Sequence, residues 1–62
     1  MDMELKYANE VLNINGVFVD KCIVNSKYFW IVYNDGVFVK KSAYFDTVQR
    51  AFDDAVDYLV ET

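Results

Sequence analysis

The residues whose types could do chemistry are one thiol, Cys22, and the carboxylates Asp53, Asp54, Asp57 and Glu61. A thiol nucleophile needs a base beside it, and the chain has no His to serve. Free cysteines are among the most buried residue types, so Cys22 reads as a small buried apolar residue and not a nucleophile. Asp53, Asp54 and Asp57 lack the loop spacing and the Gly of a calcium site. One Cys without His rules out both a disulfide framework and a Cys/His zinc site. No Gly-rich loop is present to cradle a phosphate. Carboxylates on a solvent-facing helix are a poor start for glycoside chemistry. The chain therefore reads as non-enzymatic, with no cofactor and no metal.

The carboxylates still need an explanation. The segment Asp46–Thr62 holds five acids against Arg50 and carries the whole net charge of −4. The rest of the chain balances five acids with five lysines. Apolar residues at Val48, Ala51, Phe52, Ala55 and Leu59 follow the i, i+3, i+4, i+7 spacing of one helix face. The spacing predicts an amphipathic helix over 46–61. Arg50, Asp53, Asp54, Asp57 and Glu61 then lie on the opposite face, with Arg50 and Asp54 an i, i+4 pair. Asp46 or Thr47 can cap the helix, and Gln49 stands at a capping-box distance from Asp46. The acidic face serves either solubility or a basic partner surface, where spaced carboxylates imitate phosphates.

Sixty-two residues allow one domain, 1–62. The chain is 55% apolar and 18% aromatic, the opposite of a disordered composition. Its acidity disfavours direct nucleic-acid binding. Folding should shrink the surface from roughly 10,600 to roughly 4,200 Å². The burial gain, on the order of 95 kcal/mol, barely exceeds an ordering cost on the order of 90 kcal/mol. A core this marginal, with no disulfide or metal, makes oligomerisation the common remaining route to stability. No apolar run is long enough to span a bilayer, and Met1-Asp2-Met3-Glu4-Leu5 is not a signal peptide. With its free Cys22 the chain is expected in the cytoplasm, and its start at Met1 is expected to mark a complete small gene product.

Before the helix the chain reads as strands rich in Val, Ile, Phe and Tyr. Asn15-Gly16 between apolar runs predicts a hairpin. Asn34-Asp35-Gly36 fits either a type I′ turn at Asp35-Gly36 or a type I turn with a Gly bulge. Asn25-Ser26 is a weaker turn. The expectation is α+β: an antiparallel three- to four-stranded β-meander over 10–41, then one C-terminal helix packed on one sheet face. Residues 1–8 fit a short helix, an extra strand or a frayed tail.

Two-residue loops at Asn15-Gly16 and Asn25-Ser26 would oppose Glu10 to Lys21 and Ile23 to Tyr28. One face would then carry Leu12, Ile14, Val17, Val19, Ile23, Tyr28, Trp30 and Val32 as the core beneath the helix. The other would carry Val11, Asn13, Phe18, Asp20, Cys22, Val24, Phe29, Ile31 and Tyr33. A one-sided sheet should be polar there, and this face is not. Phe18, Cys22, Phe29, Ile31 and Tyr33 are therefore the candidate interface. The open alternatives are a face covered by the N-terminal segment and a register slipped by one residue.

The stretch from Tyr44 to Ala55, with Phe45-Asp46-Thr47 followed by Ala51 and Ala55, resembles the opening of the sheet-packed helix in plant ethylene-response-factor DNA-binding domains. The arm-binding domains of phage integrases resemble it too. The likeness implies a three-stranded sheet followed by a helix. It does not carry DNA reading across, because those domains use Arg and Trp on the sheet, and the outer face here has no Arg. In size and charge the chain also resembles small acidic viral inhibitors of host nucleic-acid enzymes. The expected function is thus a protein–protein interaction module, a small regulator or inhibitor of phage-encoded type, acting as a homodimer. The alternatives are an acidic nucleic-acid-mimicking inhibitor using Asp53, Asp54, Asp57 and Glu61, and a purely structural, self-assembling protein.

Overall fold

Leu5, Ala8 and Leu12 recur at three- and four-residue spacings and form the apolar stripe of α1 (Leu5–Leu12). The computed structural model describes residues 3–61. After α1 comes a single 3₁₀ turn (Asn13–Asn15), then β1 (Val17–Lys21), β2 (Tyr28–Asn34), β3 (Val37–Lys41) and α2 (Val48–Glu61). The strands form one antiparallel sheet in the order β1-β2-β3. The class is α+β, with a three-stranded meander and a C-terminal helix as the pattern implied. The sheet-then-helix order matches the resemblance around Phe45-Asp46-Thr47, with α1 added ahead of it. Among the described residues no helix is long and apolar enough to cross a membrane.

The expected first strand is the main correction. Residues 10–15 are helical, and Asn15-Gly16 is not a hairpin turn. Only Gly16 takes a positive φ, 73°, where a type I′ turn needs two such residues. Gly16 instead ends the 3₁₀ turn in the left-handed conformation, and its N–H donates to the Asn13 carbonyl at 3.0 Å. The same dipeptide therefore closes a helix where a hairpin was expected. With the strand gone, the Glu10–Lys21 cross-strand pair goes too. Val11 and Asn13 leave the outer sheet face, and Ile14 leaves the core at 86% exposure. Residues 1–8 resolve as helix from Leu5 onward, while Met1 and Asp2 lie outside the described residues.

The second correction concerns register. Lys21 opposes Tyr28, Val19 opposes Trp30 and Val17 opposes Val32. The loop spans residues 22–27 and is not a two-residue turn at Asn25-Ser26. The Cys22 N–H donates to the Lys27 carbonyl, the Ser26 N–H to the Cys22 carbonyl, and the Lys27 N–H to Asn25 Oδ1. Ile23 is therefore a loop residue, 94% exposed, and not part of the core. The register moved by two residues, which keeps every side chain on its face. Leu12, Val17, Val19, Trp30 and Val32 are buried as expected, Leu12 from a helix and not from a strand, while Tyr28 is half-buried against them. Ala8, Val48, Ala51 and Ala55 complete the core. Both helices thus pack on one face of the sheet, α1 against β1 and α2.

The β2–β3 turn is type I′: Asp35 and Gly36 have φ of 53° and 78°, and Asn34 opposes Val37. Thr47 caps α2, its Oγ1 accepting from the Arg50 N–H at 3.1 Å. Asp46 pairs instead with Lys27 at 2.8 Å, tying the β1–β2 loop to the approach of α2. The Lys27 hydrogen bond, then its charge, holds the Asp46 carboxyl below its usual value. A depressed carboxyl favours the folded chain above its unfolded value, and that preference fades as pH falls through the folded one. The total surface, 4383 Å², is close to the expectation from chain size.

Candidate functional site

The outer face of the sheet is built by residues that alternate with the core positions on each strand. Phe18 lies opposite Ile31, and Tyr33 opposite Phe38. The rings of Phe18 and Tyr33 meet edge to face with centroids 5.7 Å apart, and those of Tyr33 and Phe38 at 6.3 Å. At the other end Phe29 and Tyr44 meet the same way at 5.8 Å. Ile31 is half-buried, and its strand position falls between those of Phe29 and Tyr33. Lys41 Nζ sits 4.7 Å from the Phe29 ring centre and 4.9 Å from that of Tyr44, and donates to the Tyr44 hydroxyl at 2.9 Å. The cation is thereby drawn down onto the aromatic surface.

The five expected interface residues thus share one surface. Phe18 and Tyr33 are each 39% exposed, and Phe29, Ile31 and Cys22 are half-buried. Among the described residues the N-terminal segment does not cover them, because α1 packs on the opposite face. Phe38, Tyr44 and Lys41 belong to the same surface and were missed. Taking the turn as type I′ at Asp35-Gly36 would have paired Tyr33 with Phe38. Tyr44 gives no periodic signal. It is placed by the Tyr28–Phe45 bridge that extends the sheet past β3. At the turn end a shallow cleft of about 630 Å³ is lined by Gly16, Phe18, Tyr33, Asp35 and Gly36.

Cys22 is not the buried apolar residue expected: it sits half-exposed at the loop end, with Tyr44 and Lys41 as neighbours. Backbone hydrogen bonds from Asn25 and then Val24, with the Tyr44 hydroxyl and the Lys41 charge, hold its thiol below the ordinary value. We expect alkylation of Cys22 to reach half its maximal rate at a lower pH in the folded chain than in the urea-unfolded chain. Equal pH profiles would contradict this hydrogen-bonded loop.

The sheet edges are treated differently from the face. The side chain of Asn9 on α1 docks on β1 like one residue of a further strand. Its Nδ2 donates to the Val19 carbonyl at 2.9 Å, and its Oδ1 accepts from the Val19 N–H at 2.7 Å. The β3 edge carries a bulge, where the register shifts between Val32 and Tyr33, followed by Lys40 and Lys41. Bulges and lysines are the usual guards against edge-to-edge pairing.

The acidic face of α2 is less free than its composition implies. Trp30 is buried, and its Nε1 donates to Asp54 Oδ2 at 2.9 Å. Asp53 accepts from Gln49 Nε2. Asp57 and Glu61 line a groove of about 250 Å³ together with Lys40, whose Nζ lies 5.1 Å from the Tyr58 ring centre. The Arg50–Asp54 pair is not formed: among the described residues the ion pair is Lys27–Asp46. Asp54→Ala should strand the indole N–H and cost about 1–3 kcal/mol, whereas Asp54→Asn keeps an acceptor and should cost less. Urea denaturation of the two variants checks this, and equal losses would contradict it. Among the described residues no three His, Cys, Asp or Glu side chains converge as metal ligands.

Comparison of the chain with protein-family models, with curated proteins and with solved structures finds no match.

Proposed function

We propose that this chain is a non-enzymatic protein–protein interaction module that associates with itself through the outer face of its sheet. One observation carries the reading: aromatic side chains occupy that face, no element of the described chain packs on it, and both sheet edges are guarded. A soluble sheet with one covered face ordinarily turns polar residues outward. Here Phe18, Phe29, Ile31, Tyr33, Phe38 and Tyr44 line the face. Rigid aromatic side chains are what interface centres use, because they offer large area at little entropic cost. The α2 acids give weaker support to phosphate mimicry, since Asp54 is held by Trp30 and Lys40 shares the groove of Asp57 and Glu61.

Phe18→Ser tests the proposal. Phe18 lies outside the buried core, so the variant should keep its fold by circular dichroism. Its self-association should weaken by about tenfold or more, the effect of truncating a central aromatic anchor. Sedimentation equilibrium gives the association constant. Unchanged association in a folded variant would remove the outer face from the proposal.

A further inference from the structure

The outer face has two unlike ends. At the turn end lies the cleft of Gly16, Phe18, Tyr33, Asp35 and Gly36. At the loop end Ile23 and Val24 stand 94% and 95% exposed, on a loop fixed by its own hydrogen bonds. The five residues of β1 separate these ends by about 15 Å. A preformed apolar tip and a preformed apolar cleft at opposite ends of one sheet are complementary shapes on the same chain. We infer that a second copy covers the outer face with its strands antiparallel to the first, so that each Ile23–Val24 tip sits over the cleft of the other copy. This rests on the proposed self-association of the outer face and specifies its geometry.

Charge selects this orientation. The turn end of the sheet carries Asp35 and no cation among its strand and turn residues. The loop end carries Lys21, Lys27 and Lys41 against Asp20 and Asp46. Antiparallel stacking lays the basic end of each copy over Asp35 of the other. Parallel stacking would set Asp35 beside Asp35 and lysines beside lysines, which complementary interfaces avoid. Area agrees. The exposed parts of the aromatic rings of Phe18, Phe29, Tyr33, Phe38 and Tyr44 amount to about 400 Å² per copy, taking about 200 Å² for a whole ring. The two tip residues raise this to about 600 Å², the lower end of the roughly 600–1,000 Å² per partner of a standard interface. Aligned sheets stacked about 10 Å apart bring such faces into contact.

The test compares Val24→Asp with Val24→Lys in the full chain, by sedimentation equilibrium at low ionic strength. Residue 24 is exposed in the single copy, so both variants should fold as the parent does. In the inferred geometry the new carboxylate meets Asp35 of the second copy, and the new ammonium meets it with opposite charge. Val24→Asp should therefore associate about tenfold more weakly than Val24→Lys. Equal weakening of both overturns the antiparallel geometry, because tips that meet each other tolerate neither charge. Association unchanged in both overturns the placement of the tip while leaving the outer face as the contact surface. A parent chain that stays monomeric overturns this inference and the self-association beneath it.

Discussion

Leu12→Ala should cost about 3–4 kcal/mol and leave much of the chain unfolded. Leu12 is 1% exposed and belongs to the buried core cluster that also holds Ala8, Val17, Val48 and Ala51. A 62-residue domain has a total stability of roughly 3–9 kcal/mol, so one lost side chain at this junction consumes a large share of it. In urea the midpoint should fall by about 2–3 M, or the folded baseline should disappear. Ile14→Ala is the matched control. Two residues further on, at 86% exposure, it should shift the midpoint by less than about 0.5 M, because exposed substitutions cost little. The pair separates helix from strand at this point. A strand would place Leu12 and Ile14 on the same buried face, whereas α1 and its 3₁₀ turn bury one and expose the other. Comparable losses from both variants would contradict α1.

Gly16→Ala carries the second large expected effect. A Cβ at Gly16 would lie 2.5 Å from the Tyr33 carbonyl oxygen, and the residue's φ is +73°. The left-handed conformation alone costs an alanine about 1–2 kcal/mol. The clash is with backbone, and the Tyr33 N–H also donates to the Gly16 carbonyl at 2.9 Å. Relief therefore requires β1 and β2 to separate where the sheet begins, for a total of about 2–4 kcal/mol. Gly36→Ala isolates the conformational part. Its φ is +78°, but nothing lies within 4 Å of the added Cβ. It should lose about 1–2 kcal/mol. Equal losses at the two glycines would show that Tyr33 does not hold Gly16 closely.

What the sequence made legible, and what it hid, follows from the range of each interaction. The period of α2 was plain because Val48, Ala51 and Ala55 recur on one face and are buried there. The partition of β1 and β2 into two faces was also legible, since alternation survives a register shift of two residues. Phe18, Phe29, Ile31 and Tyr33 therefore emerged as one surface although their expected partners were wrong. The segment 10–15 was hidden because a Gly at positive φ ends a helix as readily as it makes a type I′ turn. Ala8 and Leu12, spaced for a helix, were masked by the β-like run Val11-Leu12-Asn13-Ile14. The Asn9 amide on the β1 edge and the Asp54 acceptor for Trp30 join residues 10 and 24 positions apart. No local pattern announces such pairs. Asp54 shows the consequence: its spacing marks a solvated helix face, and only the fold reveals a buried indole beside it.

Self-association of the outer sheet face is read from the mass of the full chain by sedimentation equilibrium, from about 1 to 300 μM. That range brackets the weak-to-moderate affinity that an interface at or below standard size supports. The expected result is a concentration-dependent rise from the monomer mass of 7.3 kDa toward twice that value. Phe18→Ser should shift that rise to concentrations about tenfold higher or more. A mass fixed at 7.3 kDa to the highest concentration would contradict an outer sheet face that binds its own copy.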